Sequence, residues 1–104
     1  MRINVIQTIK DFKGEDIINE KKEPITFRDV ASAAINTEDN EHRMTAEKKN
    51  LAFQIGLKLW SGKEAELTVD QAAFIKERVG LFYTPVVYGR VCEMLGDVSD
   101  KKSE

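Results

Sequence analysis

The chain has 104 residues, of which 41% are hydrophobic and 33% charged, and its 16 basic and 18 acidic side chains give a formal net charge of −2. This composition is typical of one globular domain and excludes a disordered or fibrous protein. The near balance of charge also disfavours a general polyanion-binding protein, because such proteins usually carry a basic excess.

The cysteine content and the distribution of apolar residues indicate where the protein acts. Cys92 is the single cysteine, so no internal disulfide can form, which suits the reducing cytosol. No apolar run reaches the length of about 18 residues that a membrane span needs, and residues 1–12 lack the features of a signal peptide. We therefore expect a soluble cytoplasmic protein without a membrane segment.

Residues 2–19 predict a β-hairpin. β-Branched residues recur on one side of residues 2–9, as in a half-buried strand. Residues 11–15, which include Gly14, form a turn signal, and residues 16–19 are the candidate return strand. Because an isolated two-stranded hairpin is marginally stable in water, we expect this one to pack on helices.

Two helices are predicted in the middle of the chain. Thr26 is placed to cap a short helix rich in small residues, and Thr45 to cap a longer helix that ends near Trp60. The longer helix has two apolar stripes, so we expect it to be central and buried on two sides; the stripes are Leu51, Ile55, Leu59 and Phe53, Leu57, Trp60. Gly56 costs about 1 kcal/mol relative to alanine in a helix interior, so we expect another backbone to pass close to it.

Two more helices are predicted before the C-terminus. Thr68 and Gln71 have the spacing of a capping box, and Pro85 suits the first position of the last helix, after Thr84 as cap. The inner face of the earlier helix is predicted as Ala72, Ile75, Val79 and Phe82, with the charged residues mostly exposed, among them Lys76, Glu77 and Arg78. The predicted fold is therefore α+β, an N-terminal β-hairpin on three to four helices, with residues 1–96 as a single domain and residues 97–104 as a polar, disordered tail.

Residue types that perform catalysis or bind metals are scarce. His42 is the only histidine and lies in a polar loop, whereas Cys92 lies on a helix, and nothing in the sequence brings them together as a catalytic pair. One cysteine and one histidine cannot form a structural zinc site, and the isolated glycines do not form a phosphate-binding loop. We therefore expect a non-enzymatic protein with no metal and no cofactor.

Residues 79–96 are nearly uncharged, since only Arg90 and Glu93 carry charge. The pair of helices joined at residues 82–85 could be compared with a helix-turn-helix, but its second helix offers few polar groups to DNA. Such an uncharged segment must be covered, either by the rest of the chain or by another copy of it, and a symmetric homo-oligomer would use this surface on both partners. The candidate interface residues are the aromatic and charged residues Trp60, Phe82, Tyr83, Tyr88 and Arg90, although core tyrosines with satisfied hydroxyls are an equal alternative.

The C-terminal motif is similar to one found in a group of phage proteins. It comprises Ile75, Lys76, Val79, Gly80, Tyr83, Pro85, Val86, Val87 and Gly89. In this pattern the chain resembles small proteins of tailed bacteriophages and prophages, most closely over residues 67–95. The resemblance implies an accessory protein in the cytoplasm of a bacterial host, but it carries over no catalytic or binding residue.

These observations favour a protein–protein binding or assembly module that self-associates through its C-terminal helix or binds a phage or host protein. The alternative is a small regulatory or nucleic-acid-binding factor that uses lysines of the long helix, Lys48, Lys49 and Lys58. Salt-sensitive binding to DNA or RNA would distinguish this alternative from the binding module.

Overall fold

A computed structural model describes residues 1–96 of the chain as an α+β fold, which confirms the predicted class. The predicted tail, residues 97–104, lies outside the described residues. The elements in chain order are β1 (Arg2–Asn4), α1 (Phe27–Ile35), α2 (Ala46–Leu59), β2 (Glu64–Glu66), α3 (Val69–Phe82) and α4 (Pro85–Leu95).

The two strands do not form the predicted N-terminal hairpin. β1 pairs antiparallel with β2 from the middle of the chain, and Ile3 lies opposite Ala65. The prediction missed β2 because its sequence, Glu-Ala-Glu, has low strand propensity and is too short for its alternation to be recognised. The sheet therefore connects the start of the chain to the segment between α2 and α3.

Residues 16–19 do not form the predicted return strand. Instead, backbone hydrogen bonds join three isoleucines that lie at intervals of eight residues. The backbone amide of Ile9 donates to Ile25, that of Ile17 donates to Ile9, and that of Ile25 donates to Ile17, at distances of 2.9–3.0 Å. Ile9 is fully buried, and the other two side chains pack against the core. This closed ring of backbone hydrogen bonds folds residues 9–25 into a compact unit beside the helices.

The same tight turn connects each isoleucine to the next. The side chains of Asp11 and Asn19 each accept hydrogen bonds from the backbone amides two and four residues later. The fourth residue of each turn has a positive φ, which is 86° at Gly14 and 65° at Lys22. The turn predicted at residues 11–15 is therefore confirmed, and it has a counterpart that the prediction missed.

The helices pack side by side in the order α2, α1, α3, α4, so α1 is central and α2 is not. The alanines on α1 allow neighbouring helices to approach it closely, and Ala31 and Ala34 are fully buried. The capping residues predicted for the first three helices, Thr26, Thr45 and Thr68, all accept a hydrogen bond from the backbone amide three residues on. Pro85 opens α4 as predicted, but within residues 1–96 the side chain of Thr84 makes no capping hydrogen bond.

The two turns predict opposite effects of substitution at equivalent positions. Gly14→Ala should lower the free energy of unfolding by about 1 kcal/mol, because a side chain is strained in the left-handed region. Lys22→Gly should raise it by up to about 1 kcal/mol, because it removes the same strain. Urea denaturation measures both changes, with Gly62→Ala as a control at a glycine without positive φ. A Gly14→Ala protein as stable as the wild type would contradict the turn geometry.

Candidate protein-binding surface

The outer side of α2 exposes three large apolar side chains. Phe53, Leu57 and Trp60 have 60%, 55% and 55% of their surface exposed, and we call these three residues the α2 apolar face. Their spacing of four and then three residues places them on one side of the helix. The prediction that both stripes of α2 are buried is therefore wrong: the helix lies at the edge of the helical layer, and only the stripe facing α1 is covered.

Gly56 lies beside the α2 apolar face and forms a notch in it. Apart from its chain neighbours and the backbone of its own helix, no described atom lies within 4 Å of the position that a Cβ would occupy there. Within residues 1–96, therefore, no other backbone passes close to Gly56, contrary to the prediction. The glycine instead keeps part of the helix surface open to solvent, next to Leu57.

A groove of about 510 Å³ runs along the α2 apolar face between α1 and α2. Ile35 at the end of α1 and Met44 in the following loop contribute its other apolar side chains, and Lys49 and Glu38 contribute charged groups. A concave apolar surface with a few polar groups is typical of a binding site.

Trp60 is held in place although more than half of its surface is exposed. Its indole Nε1 donates a hydrogen bond to Oγ of Ser32, at 2.7 Å. The guanidinium carbon of Arg28 lies 4.2 Å from the centroid of the indole ring, in cation–π geometry. Arg28 is itself fixed by a hydrogen bond from Nη1 to the carbonyl of Gly62, at 3.3 Å. The ring is therefore positioned before any partner binds, which reduces the entropy lost on binding.

The loop between α1 and α2, which contributes Glu38 and Met44 to the groove, is fastened to α3 by a buried arginine. Nη2 of Arg78 donates to the backbone carbonyls of Thr37 and His42, at 2.5 and 3.2 Å. Arg78 and Lys76 are both buried, so the prediction that they are exposed is wrong. For Arg78 the prediction failed because its hydrogen-bond partners lie about forty residues away in the sequence.

Phe82, a predicted interface residue, belongs to this fastening. The guanidinium carbon of Arg78 lies 5.2 Å from the centroid of its ring, and the ring of His42 meets it edge-on at 5.8 Å. His42 also contacts Asp39, with 2.8 Å between Nδ1 and Oδ1, and this hydrogen bond and those from nearby amides lower the pKa of Asp39 despite partial desolvation. Phe82 therefore supports the groove from behind and does not line it.

Tyr83 also lies in the interior part of the structure. It packs against the hydrophobic core at the end of α3. Burial raises the pKa of its phenol, and the carboxylate of Asp29 raises it further. Tyr83 is therefore partly buried within the fold, and its role at an interface stays a prediction.

The remaining two candidates lie on α4, remote in packing order from α2. The ring of Tyr88 covers Gly80 so closely that a Cβ there would lie 3.1 Å from Cε1 of the tyrosine. Arg90 binds the first tight turn: its Nε and Nη2 donate hydrogen bonds to the backbone carbonyls of Lys10 and Asp11, at 3.1 and 2.7 Å. Both residues have structural contacts, and the structure brings neither of them to Trp60.

Sequence reasoning missed one feature of this surface and one exposed side chain elsewhere. Ser32 and Arg28 hold Trp60 through contacts across 28 and more residues, for which the sequence carries no signal. Phe12, at 84% exposure, projects from the first tight turn beside Pro85. For α2 itself the sequence does carry a signal. A helix with apolar residues on two sides is either buried on both sides or bound by a partner on one of them.

The lysines proposed for nucleic-acid binding are not equally available. Lys58 is engaged internally, since its Nζ donates to the backbone carbonyl of Glu66 and to Oε1 of Gln71, at 2.9 and 3.0 Å. Lys48 and Lys49 are exposed. Two exposed lysines beside an apolar stripe give little support to a phosphate-binding surface.

Two further properties concern residues 1–96. No group of three histidine, cysteine, aspartate or glutamate side chains in this part lies close enough together to hold a metal ion. No helix in it is both long and apolar enough to cross a membrane.

Comparisons of the chain with protein-family models, with curated proteins and with solved structures gave no match.

Replacing Arg78 tests the fastening of the loop. Arg78→Met keeps an apolar stem but leaves the carbonyls of Thr37 and His42 without their donor, so the free energy of unfolding should fall by about 2 kcal/mol. Arg43→Met, at an exposed arginine of the same loop, should change it by less than about 0.5 kcal/mol. Urea denaturation measures both values, and equal effects of the two substitutions would contradict the assignment.

Titration of Tyr83 tests its burial. The protein has two tyrosines, so Tyr88→Phe leaves Tyr83 as the only phenol. Its phenolate absorbance should appear with a midpoint above 10.0 in the folded protein and return to about 10 in urea. Because the folded pKa is raised, the stability linked to this group is complete below pH 10 and is lost as the pH rises through the folded pKa. A folded midpoint at or below that of the unfolded chain would contradict burial.

Proposed function

We propose that this protein is a non-enzymatic binding or assembly module that docks an amphipathic helix of a protein partner on its α2 apolar face. One observation carries the proposal: Phe53, Leu57 and Trp60 are exposed together on one helix side, along a groove. Exposed apolar surface costs about 25 cal/mol per Å² relative to burial, and contiguous patches of this kind mark interaction sites.

The spacing of the side chains supports a helical partner. An amphipathic helix that lies in a groove presents apolar side chains at intervals of three and four residues, and the α2 apolar face has the matching intervals. Trp60 and Arg28 are also residue types that dominate binding energy in protein interfaces. Their mutual contact makes the end of the groove near Trp60 the expected centre of affinity.

The interface proposed from the sequence, the C-terminal helix, has less support than α2. Val87, Val91 and Leu95 of α4 are buried against the rest of the fold, so the low charge of this helix has an explanation within the chain. We therefore assign the docking role to α2. The setting we propose is that of a phage or prophage accessory protein in a bacterial cytoplasm, and it rests on the resemblance of residues 67–95.

Photo-crosslinking tests the proposal and identifies the partner in the same experiment. Phe53 is replaced by the photoreactive analogue benzoylphenylalanine, and the protein is irradiated in a bacterial host. We expect a discrete adduct whose mass identifies the partner, and we expect Leu57→Asp in the same protein to abolish it, because a charge on the α2 apolar face would have to be desolvated on binding.

The matched control carries the same analogue at Phe12, which is more exposed than Phe53 but lies beside α4. This position should give no discrete adduct. Equal yields at the two positions would show that exposure alone drives the crosslinking and would overturn the proposal. The absence of any adduct at Phe53 would overturn it as well.

A further inference from the structure

We infer that the helix docked on the α2 apolar face is α2 of a second copy of this chain, antiparallel to the first about a two-fold axis between Gly56 and Leu57. This inference rests on the proposed function, because it names the partner of that same surface. A two-fold dimer requires one surface to be complementary to itself. The α2 apolar face meets this requirement in its shape, in its residue types and in the placement of its charge.

The exposed apolar residues along α2 are complementary about the proposed axis. In an antiparallel pair centred between Gly56 and Leu57, Leu57 of each copy faces Gly56 of the other, and Phe53 of each copy faces Trp60 of the other. The pair thus has an aromatic contact at each end and a leucine over a glycine at the centre. Aromatic rings attract one another beyond the burial of their area.

The centre of this arrangement has complementary shape. Leu57 is a knob, with 55% of its surface exposed. Gly56 is the adjoining hole, since outside its own helix backbone no described atom lies within 4 Å of its absent Cβ. A glycine at a helix crossing lets two helix backbones approach closely, as small residues do at other helix–helix contacts. This gives a reason for a glycine inside a helix, where it otherwise weakens the helix.

The charge next to the α2 apolar face favours the antiparallel direction. Lys49 lines the groove near the start of α2, about 11 Å along the helix from the proposed axis at 1.5 Å per residue. In an antiparallel pair the two copies of Lys49 lie on opposite sides of the axis and are about 22 Å apart along the helices, so they do not repel each other strongly. A parallel pair would instead bring the two copies of Lys49 together and place like charges side by side.

The size of the patch predicts a weak dimer. An aromatic side chain offers 150–250 Å², so Phe53 and Trp60 at their exposures present roughly 250 Å², and Leu57 extends the patch. Specific interfaces bury roughly 600–1,000 Å² per partner, of which somewhat more than half is apolar. The α2 apolar face supplies the apolar area of an interface at the lower end of this range, and we expect dissociation in the micromolar range.

Sedimentation equilibrium of the purified chain between about 10 µM and 1 mM tests the inference. The mass of the wild type should rise from 11.8 kDa towards twice that value. Gly56→Gln fills the notch with a good helix former in open space, so its monomer should melt no lower than the wild type. It should nevertheless raise the dissociation constant at least tenfold, and so should Leu57→Asp. Phe12→Ser, which removes an exposed aromatic away from α2, should leave the constant unchanged.

Two results would overturn the inference: a wild type that stays at 11.8 kDa at the highest concentration, or a Gly56→Gln protein that associates as the wild type does. The crosslinking at Phe53 separates this failure from that of the proposed function. An adduct with a different protein, together with a monomeric wild type, overturns only the second copy as partner. A monomer without any adduct at Phe53 overturns both.

Discussion

The structure depends on the position of α1 between α2 and α3. Its alanines let two helices approach it, and the capping box at Thr26 starts it directly after the ring of isoleucines. Because the four helices pack in a row, only α1 and α3 have a helix on both sides. The outer sides of α2 and α4 therefore have no helix of residues 1–96 to cover them, and each must be polar, be covered by other segments, or be bound by a partner.

The two edge helices meet this constraint differently. On α4 the large aliphatic residues point inwards, and Arg90 draws the first tight turn against the helix through the carbonyls of Lys10 and Asp11. On α2 the outer side carries Phe53, Leu57 and Trp60, and Trp60 is fixed by Ser32 and Arg28. An incidental exposed residue has no need of such fixing, which is why we assign the binding role to α2.

The groove also depends on a contact that lies behind it. Arg78 donates to carbonyls on both sides of the loop that carries Glu38 and Met44, so α3 determines where that loop lies. Among residues 1–96, Nε of Arg78 is buried without a hydrogen-bond partner. A buried donor of this kind has a cost, and the two carbonyl contacts and the ring of Phe82 offset it. The groove thus depends on residues from three helices.

Local signals made much of the helical structure predictable, whereas long-range contacts were not. Thr26, Thr68 and Pro85 mark helix starts through chemistry within four residues, and the structure confirms each of them. The pairing of β1 with β2 spans some sixty residues and has no local signature. The eight-residue spacing of the isoleucines is visible in the sequence, but the prediction does not use it, because the period-two alternation and the glycine turn are the usual signs of a hairpin.

The candidate site shows the same difference: the sequence predicts its local features but not its long-range contacts. Periodicity identified the stripe of Phe53, Leu57 and Trp60, but periodicity cannot tell whether another element covers a stripe. Of the predicted interface aromatics, Trp60 and Tyr88 are exposed, whereas Tyr83 packs against the core and Phe82 contacts Arg78 and His42. The burial of Arg78 depends on carbonyls about forty residues away, and no residue near it in sequence indicates them.

A distance between two copies tests the account most directly. With Cys92 replaced by serine and a spin label attached at Asn50→Cys on the exposed side of α2, pulsed electron resonance measures the separation of the labels. An antiparallel pair centred between Gly56 and Leu57 places the two backbones at this position roughly 20–25 Å apart. A single distance distribution consistent with that separation, lost in Gly56→Gln, is the predicted result. The absence of dipolar coupling at millimolar protein would contradict it, and so would a short distance between labels on Cys92 of α4 in a separate sample that keeps Cys92 and Asn50.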